Sequence, residues 1–193
     1  VARQAMRHAG LDRLWLMVSP GNPLKPALGM APFAERLASA RKIADGWRII
    51  ATDIEKRLGT RYTADTMRAL KRRFPDHKFV WLMGADNLLQ LPRWGRWLEI
   101  ARAMPMLIVP RPGATRRALA GQAVARLRRH RLAARSGLCL ATAPAPAWIL
   151  LPVRENPASA TALRQRPKTA DRSLPTEACR PKTEDCRPRP DDF

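Results

Sequence analysis

Four short groups of polar residues carry the types and spacing that bind phosphates or nucleotides. In the first, Ser19-Pro20-Gly21-Asn22-Pro23-Leu24-Lys25-Pro26 follows an apolar run. A rigid loop there can present Lys25 to a phosphate; the plainer alternative is a Pro-rich connector with one exposed Lys. In the second, Arg61-Tyr62-Thr63-Ala64-Asp65-Thr66 opens a helix with Thr63 at the N-cap. Free N–H groups at such a start suit a carboxylate or phosphate, although a cap and a first-turn acid would also simply stabilise the helix. The third is Gly84-Ala85-Asp86-Asn87, followed by Leu91-Pro92-Arg93-Trp94. Gly84 permits close ligand approach, Asp86 can accept from ribose hydroxyls or help hold a cation, and Trp94 can stack a flat heteroaromatic ring. The alternative makes Asp86 a cap and Trp94 a core residue; Trp97 reads as core. In the fourth, Ser159-Ala160-Thr161-Ala162-Leu163-Arg164 sets two hydroxyls and free amides at a helix start, with a guanidinium one turn on. That pattern suits a triphosphate, or an ordinary capped helix.

These groups need elements to position them, and the apolar pattern supplies candidates. Short apolar runs at Leu14–Val18, Trp47–Ala51, Phe79–Met83, Met106–Val109 and Trp148–Leu151 read as buried strands. Between them lie amphipathic helices: one ending at Gly10, one from Phe33 burying Leu37, Ala40, Ile43 and Ala44, and one from Thr63 burying Met67, Leu70 and Phe74. Asp86–Leu91 and Trp94–Ala103 follow, then a helix from Thr115 to Arg131. Strands alternating with helices predict an α/β fold with a parallel, doubly wound sheet, whose ligands bind outside the carboxyl ends of the strands. The Thr115–Arg135 stretch carries Arg116, Arg117, Arg126, Arg128, Arg129, Arg131 and Arg135 and no acid. It reads as a solvated face; RNA binding would need the interleaved aromatics it lacks.

The chain has 193 residues and a formal net charge of +20. From Gln165 onward the composition turns Pro-rich, and Arg166-Pro167-Lys168-Thr169 recurs nearly as Arg180-Pro181-Lys182-Thr183. Residues 1–165 are therefore expected to form one domain holding almost all of the charge, with 166–193 a disordered tail. So basic a domain attracts anions of every kind. No apolar run reaches the ~20 residues needed to span a bilayer, and nothing reads as a secretory signal. Cys139, Cys179 and Cys186 lack zinc or disulfide spacing, and His8, His77 and His130 are scattered without metal-ligand spacing. A cytoplasmic location is expected. The first residues read as the middle of a helix without a start signal, so the chain is expected to be a fragment.

Taken in order, the segments resemble the bacterial nicotinate-nucleotide adenylyltransferase family. The matching pieces are the Val18–Lys25 loop, Met30-Ala31-Pro32-Phe33-Ala34-Glu35-Arg36-Leu37, Asp53-Ile54-Glu55, Arg61–Thr66, Trp81–Leu88, Leu91–Trp94, Pro110-Arg111-Pro112-Gly113 and Ser159–Arg164. The resemblance implies a Rossmann-like nucleotidyltransferase that moves the adenylyl group of ATP, with Mg²⁺, onto nicotinate mononucleotide, giving deamido-NAD and pyrophosphate in NAD biosynthesis. It implies that Ser159, Thr161 and Arg164 hold ATP phosphates, that Gly84 and Asp86 lie by the nucleotide, and that Lys25 lies near the reacting phosphates as the catalytic residue. Trp94 would stack the pyridine, and backbone amides near Thr63 and Gly95 would read the nicotinate carboxylate. Amide donors there would disfavour the carboxamide, whose NH₂ leaves them unpaired. No resident metal ligands, membrane or specific nucleic-acid partner are implied. One family feature is missing from the 193 residues: a Gly-x-Phe-x-Pro-x-His-x-Gly-His loop whose histidines sit on the ATP phosphates. Weak or absent activity is therefore expected of this chain. Two other readings stand beside this one: an adenylyltransferase for another phosphate, such as phosphopantetheine, and a non-catalytic basic RNA-binding protein.

Overall fold

The computed structural model describes residues 1–21 and 30–155. Helix α1 (Ala2–Ala9) buries Ala5, Met6 and Ala9, and ends where Gly10 turns left-handed at φ 59°. That conformation is easy only for Gly, and it lets the Gly10 and Leu11 amides return to the Met6 carbonyl. Strand β1 (Leu14–Met17) then pairs in parallel with β2 (Ile49–Thr52), Leu14 opposite Ile49. Parallel neighbours need a crossover, and α2 (Phe33–Ile43) supplies it, burying Leu37. Ile43, expected inside, is 74% exposed because the helix ends there and Ala44 is already extended. Strand β2 starts two residues later than its apolar run, since Asp45 draws Trp47, Arg48 and Ile49 into a turn. Trp47 is left in solvent, with the Arg13 guanidinium over its ring.

After the short helix α3 (Ile54–Arg57) comes α4 (Thr63–Arg73), which buries Ala64, Thr66, Met67 and Leu70. Phe74 stops the helix and is only partly buried, edge-on to Trp15 and Phe79. Strands β3 (Trp81–Gly84), β4 (Met106–Val109) and β5 (Trp148–Leu150) form a second parallel sheet in the order β3-β4-β5. Helices α5 (Ala85–Gln90) and α6 (Trp97–Ala103) join β3 to β4. The long basic helix expected from Thr115 does not form as one piece. It breaks at Gly121 into α7 (Thr115–Leu119) and α8 (Gln122–Leu127), then passes through 3-10 turns at Arg128–His130 and Ala134–Thr142. The Gly121 amide bonds the Ala118 carbonyl at 3.0 Å, closing α7 with a turn rather than extending it.

All four β4 residues are buried, and their alternation explains the layers. Met106 and Ile108 face a core shared with α4–α8, while Leu107 and Val109 face one shared with α1 and the 134–142 turns. A strand covered on both faces reads as a continuous apolar run, as this one does. The Trp148 indole N–H donates to the Leu127 carbonyl at 3.0 Å, so even the largest core side chain leaves no orphan donor. The fold is α/β with parallel strands throughout, as expected, although among the described residues the strands fall into two hydrogen-bonded sheets. The three histidines hold structural or surface positions: His8 packs against Gly137, His77 stacks on Phe79, and His130 is exposed. No helix among the described residues is long and apolar enough to cross a membrane.

Candidate active site

Parallel pairing aligns Gly84 at the end of β3 with Val109 at the end of β4, so the loops after both strands share one edge. Gly84 is also the N-cap of α5, placing Asp86 in the first turn, where the helix dipole favours its charge. From the other loop, Arg111 brings its Nε to 3.9 Å from Asp86 Oδ1. Both side chains pack over the open face of Gly84. A methyl group there would strike the Asp86 carboxylate and sit 3.1 Å from Arg111 Nε. The close approach expected at Gly84 is thus made by the protein's own charged pair. Thr115 anchors this loop: the Arg111 amide donates to its hydroxyl at 2.8 Å, and the hydroxyl donates to the Arg111 carbonyl at 3.0 Å. Beside the pair, a groove of about 410 Å³ is lined by Asp86, Leu89, Gln90, Arg93, Ala114 and Arg117. One carboxylate among guanidinium groups suits a phosphorylated ligand bearing hydroxyls. Arg111 had no role in the reading from residue types; its signal was a cation between two prolines just past a strand.

The Trp94 ring lies 5.7 Å from that of Trp81, tilted by 52°, and packs partly buried on the core. Its Nε1 is enclosed and has no hydrogen-bond partner among the described residues. The chain then turns tightly, the Trp97 amide returning to the Trp94 carbonyl at 3.2 Å, with exposed Gly95 and Arg96 between. For that reason α6 begins at Trp97, three residues later than the sequence pattern suggests. Thr63 is the first residue of α4 and not its N-cap. Tyr62 holds the cap position, its carbonyl taking the amides of Asp65 and Thr66 at 3.0 and 3.1 Å. The amide of Thr63 therefore has no acceptor inside its own helix. Beneath this turn the buried Thr66 hydroxyl meets Thr60 at 2.8 Å and donates to Glu55 at 3.2 Å.

Across the two turns runs a chain of charges. Arg96 Nη2 donates to Asp65 Oδ2, while Arg68 lies 3.3 Å from Asp65 Oδ1 and 2.8 Å from Glu99. The Arg96 hydrogen bond, aided by the Arg96 and Arg68 charges, holds the Asp65 carboxyl below its ordinary range. Arg36 of α2 works on a third loop. Its guanidinium donates to the carbonyls of Ser19, Pro20 and Ala31 at 2.7, 3.1 and 3.0 Å, tying the end of the β1 loop to the residues that enter α2. Of the residues singled out by sequence, Gly84, Asp86, Thr63, Trp94 and Gly95 have described positions, and Lys25, Ser159, Thr161 and Arg164 lie outside the described residues.

A family model for cytidylyltransferase-like proteins matches residues 1–166. A probable nicotinate-nucleotide adenylyltransferase of Gluconobacter oxydans is 54% identical over 165 residues, covering 86% of this chain and 85% of that protein. Proteins of the same description from Gluconacetobacter diazotrophicus and Parvibaculum lavamentivorans are 52% and 51% identical. They cover 85% and 86% of this chain, and 76% and 83% of their own lengths. Parallel strands with polar loops at their carboxyl ends are here the framework of a Rossmann-like nucleotidyltransferase. The chain belongs to the cytidylyltransferase-like family and, within it, to the nicotinate-nucleotide adenylyltransferases.

Proposed function

We propose that this chain transfers the adenylyl group of ATP to nicotinate mononucleotide, giving deamido-NAD and pyrophosphate. The observation that carries the reading is the Asp86–Arg111 pair over Gly84, at the carboxyl edge shared by β3 and β4. A phosphate oxygen of the acceptor attacks the α-phosphorus of ATP as the bond to the β-phosphate oxygen breaks, and pyrophosphate leaves with that electron pair. No covalent enzyme intermediate is needed, so positioning and charge neutralisation carry the catalysis. Arg111, with Lys25, would neutralise phosphate charge; Asp86 would accept from ribose hydroxyls. Trp94 would take the pyridine, the Thr63 and Gly95 amides its carboxylate, and Ser159, Thr161 and Arg164 the ATP phosphates. Among the described residues no three His, Cys, Asp or Glu side chains gather as a metal cage. Asp86, in the first turn of α5, would assist an Mg²⁺ carried mainly by phosphate oxygens and water. When bound, the ion would supply further neutralisation of the triphosphate. The same reading puts the catalytic domain at residues 1–165, with 166–193 an appended tail, and the reaction in the cytoplasm.

Calorimetric titration with nicotinate mononucleotide and nicotinamide mononucleotide tests the acceptor. Tighter binding of the acid by roughly 10-fold or more is expected, since the amide would leave donors unpaired. Pyrophosphate release with ATP and Mg²⁺ should follow nicotinate mononucleotide and not phosphopantetheine, weakly if at all in this chain and strongly in one preceded by the family's Gly-rich His-x-Gly-His segment. Tighter binding of phosphopantetheine, or release with it alone, overturns the assignment.

A further inference from the structure

Arg96 occupies a left-handed backbone position, φ 56° and ψ 37°, which suits Gly and costs an L-residue free energy. Its guanidinium meets Asp65, but both side chains are more than a third exposed, and exposed pairs of this kind contribute little to stability. The strained residue and its ion pair therefore do not account for each other as a stabilising device. What the pair does achieve is geometric. It joins the first turn of α4, which begins at Thr63, to the turn Trp94–Trp97, which contains Gly95. Arg68 and Glu99 extend the same link between α4 and α6. There is also a charge consequence: Asp65 puts a carboxylate two residues from the Thr63 amide, where a carboxylate ligand would be repelled unless that charge were cancelled.

We infer that Asp65 and Arg96 are positioning residues that set the preference for a carboxylate over a carboxamide on the acceptor's ring. They do so by holding the Thr63 and Gly95 turns together and by neutralising Asp65 beside them. The inference rests on the acceptor reading above and adds the residues that tune it.

The discriminating variant is Arg96→Gly, which removes the guanidinium while relieving the backbone. Its melting midpoint should stay at or above that of the wild type, because the strained φ is native to Gly. Its affinity for nicotinate mononucleotide should fall by about 10-fold, the order expected for losing hydrogen-bond geometry to a charged group. Affinity for nicotinamide mononucleotide should change by less than about 3-fold, so the ratio collapses. The double variant Asp65→Asn with Arg96→Gly should recover part of the acid's affinity, since the uncompensated carboxylate is gone. Equal loss of both ligands, or an unchanged ratio, overturns the inference while leaving the acceptor reading intact. A wild-type chain that shows no preference for the acid overturns both, and the wild-type titration alone reveals that case.

Discussion

At Gly84 the absence of a side chain does the structural work. Asp86 and Arg111 close over its Cα face, one from α5 and one from the loop after β4, and a methyl group there would push the carboxylate aside and crowd the guanidinium. Gly84→Ala should melt close to the wild type, since the groups displaced are the ends of exposed, flexible side chains, and should lower ATP affinity because the carboxylate and guanidinium must part. Thermal melting and a nucleotide titration on one preparation check this, and unchanged ATP binding would remove Gly84 from the site. Gly84 and Asp86 were legible from their place just after an apolar run. Arg111 was not, because among 29 arginines nothing local marks the one that a neighbouring strand brings into contact.

Among the elements, entry to β2 depends on a single carboxylate oxygen. Asp45 Oδ1 accepts the amides of Ile49, Arg48 and Trp47 at 2.7, 2.8 and 3.0 Å. These bonds, that of Ile49 foremost, hold its carboxyl below the ordinary 3.8 against a smaller opposing effect of burial. A depressed carboxyl stabilises the fold above the unfolded value and loses that contribution as pH falls through the folded one. Asp45→Asn keeps an acceptor but no charge, so it should melt below the wild type at neutral pH. The gap should close as pH drops below 3.8. Melting curves from pH 7 to pH 2 test the sign, and a gap that widens in acid would contradict it. The apolar pattern placed Trp47 inside this strand. Asp45 overrides that pattern by supplying acceptors that the ladder would otherwise need to provide.

For the molecule as a whole, the net charge of +20 resides almost wholly in residues 1–165. A field of that sign gathers nucleotides and RNA alike, with the difference lying in salt dependence. Binding of unrelated single-stranded RNAs should be sequence-independent and should fall steeply between about 50 and 200 mM salt. Fluorescence anisotropy in a salt series measures this, and salt-resistant, sequence-selective binding would contradict it.

Strand positions, the helices between them and the polar segments after them follow from local rules: apolar runs need burial, Gly ends helices, and loops carry polar groups. Those rules act over a few residues, so they are visible in the chain order of the motifs. The left-handed turn at Arg96 arises otherwise: its guanidinium pairs with Asp65, 31 residues away in the chain. So it is with Asp86 and Arg111, 25 residues apart in the chain and joined only because β3 and β4 lie side by side. Contacts of that kind depend on three-dimensional proximity, which parallel pairing creates and residue order does not encode locally.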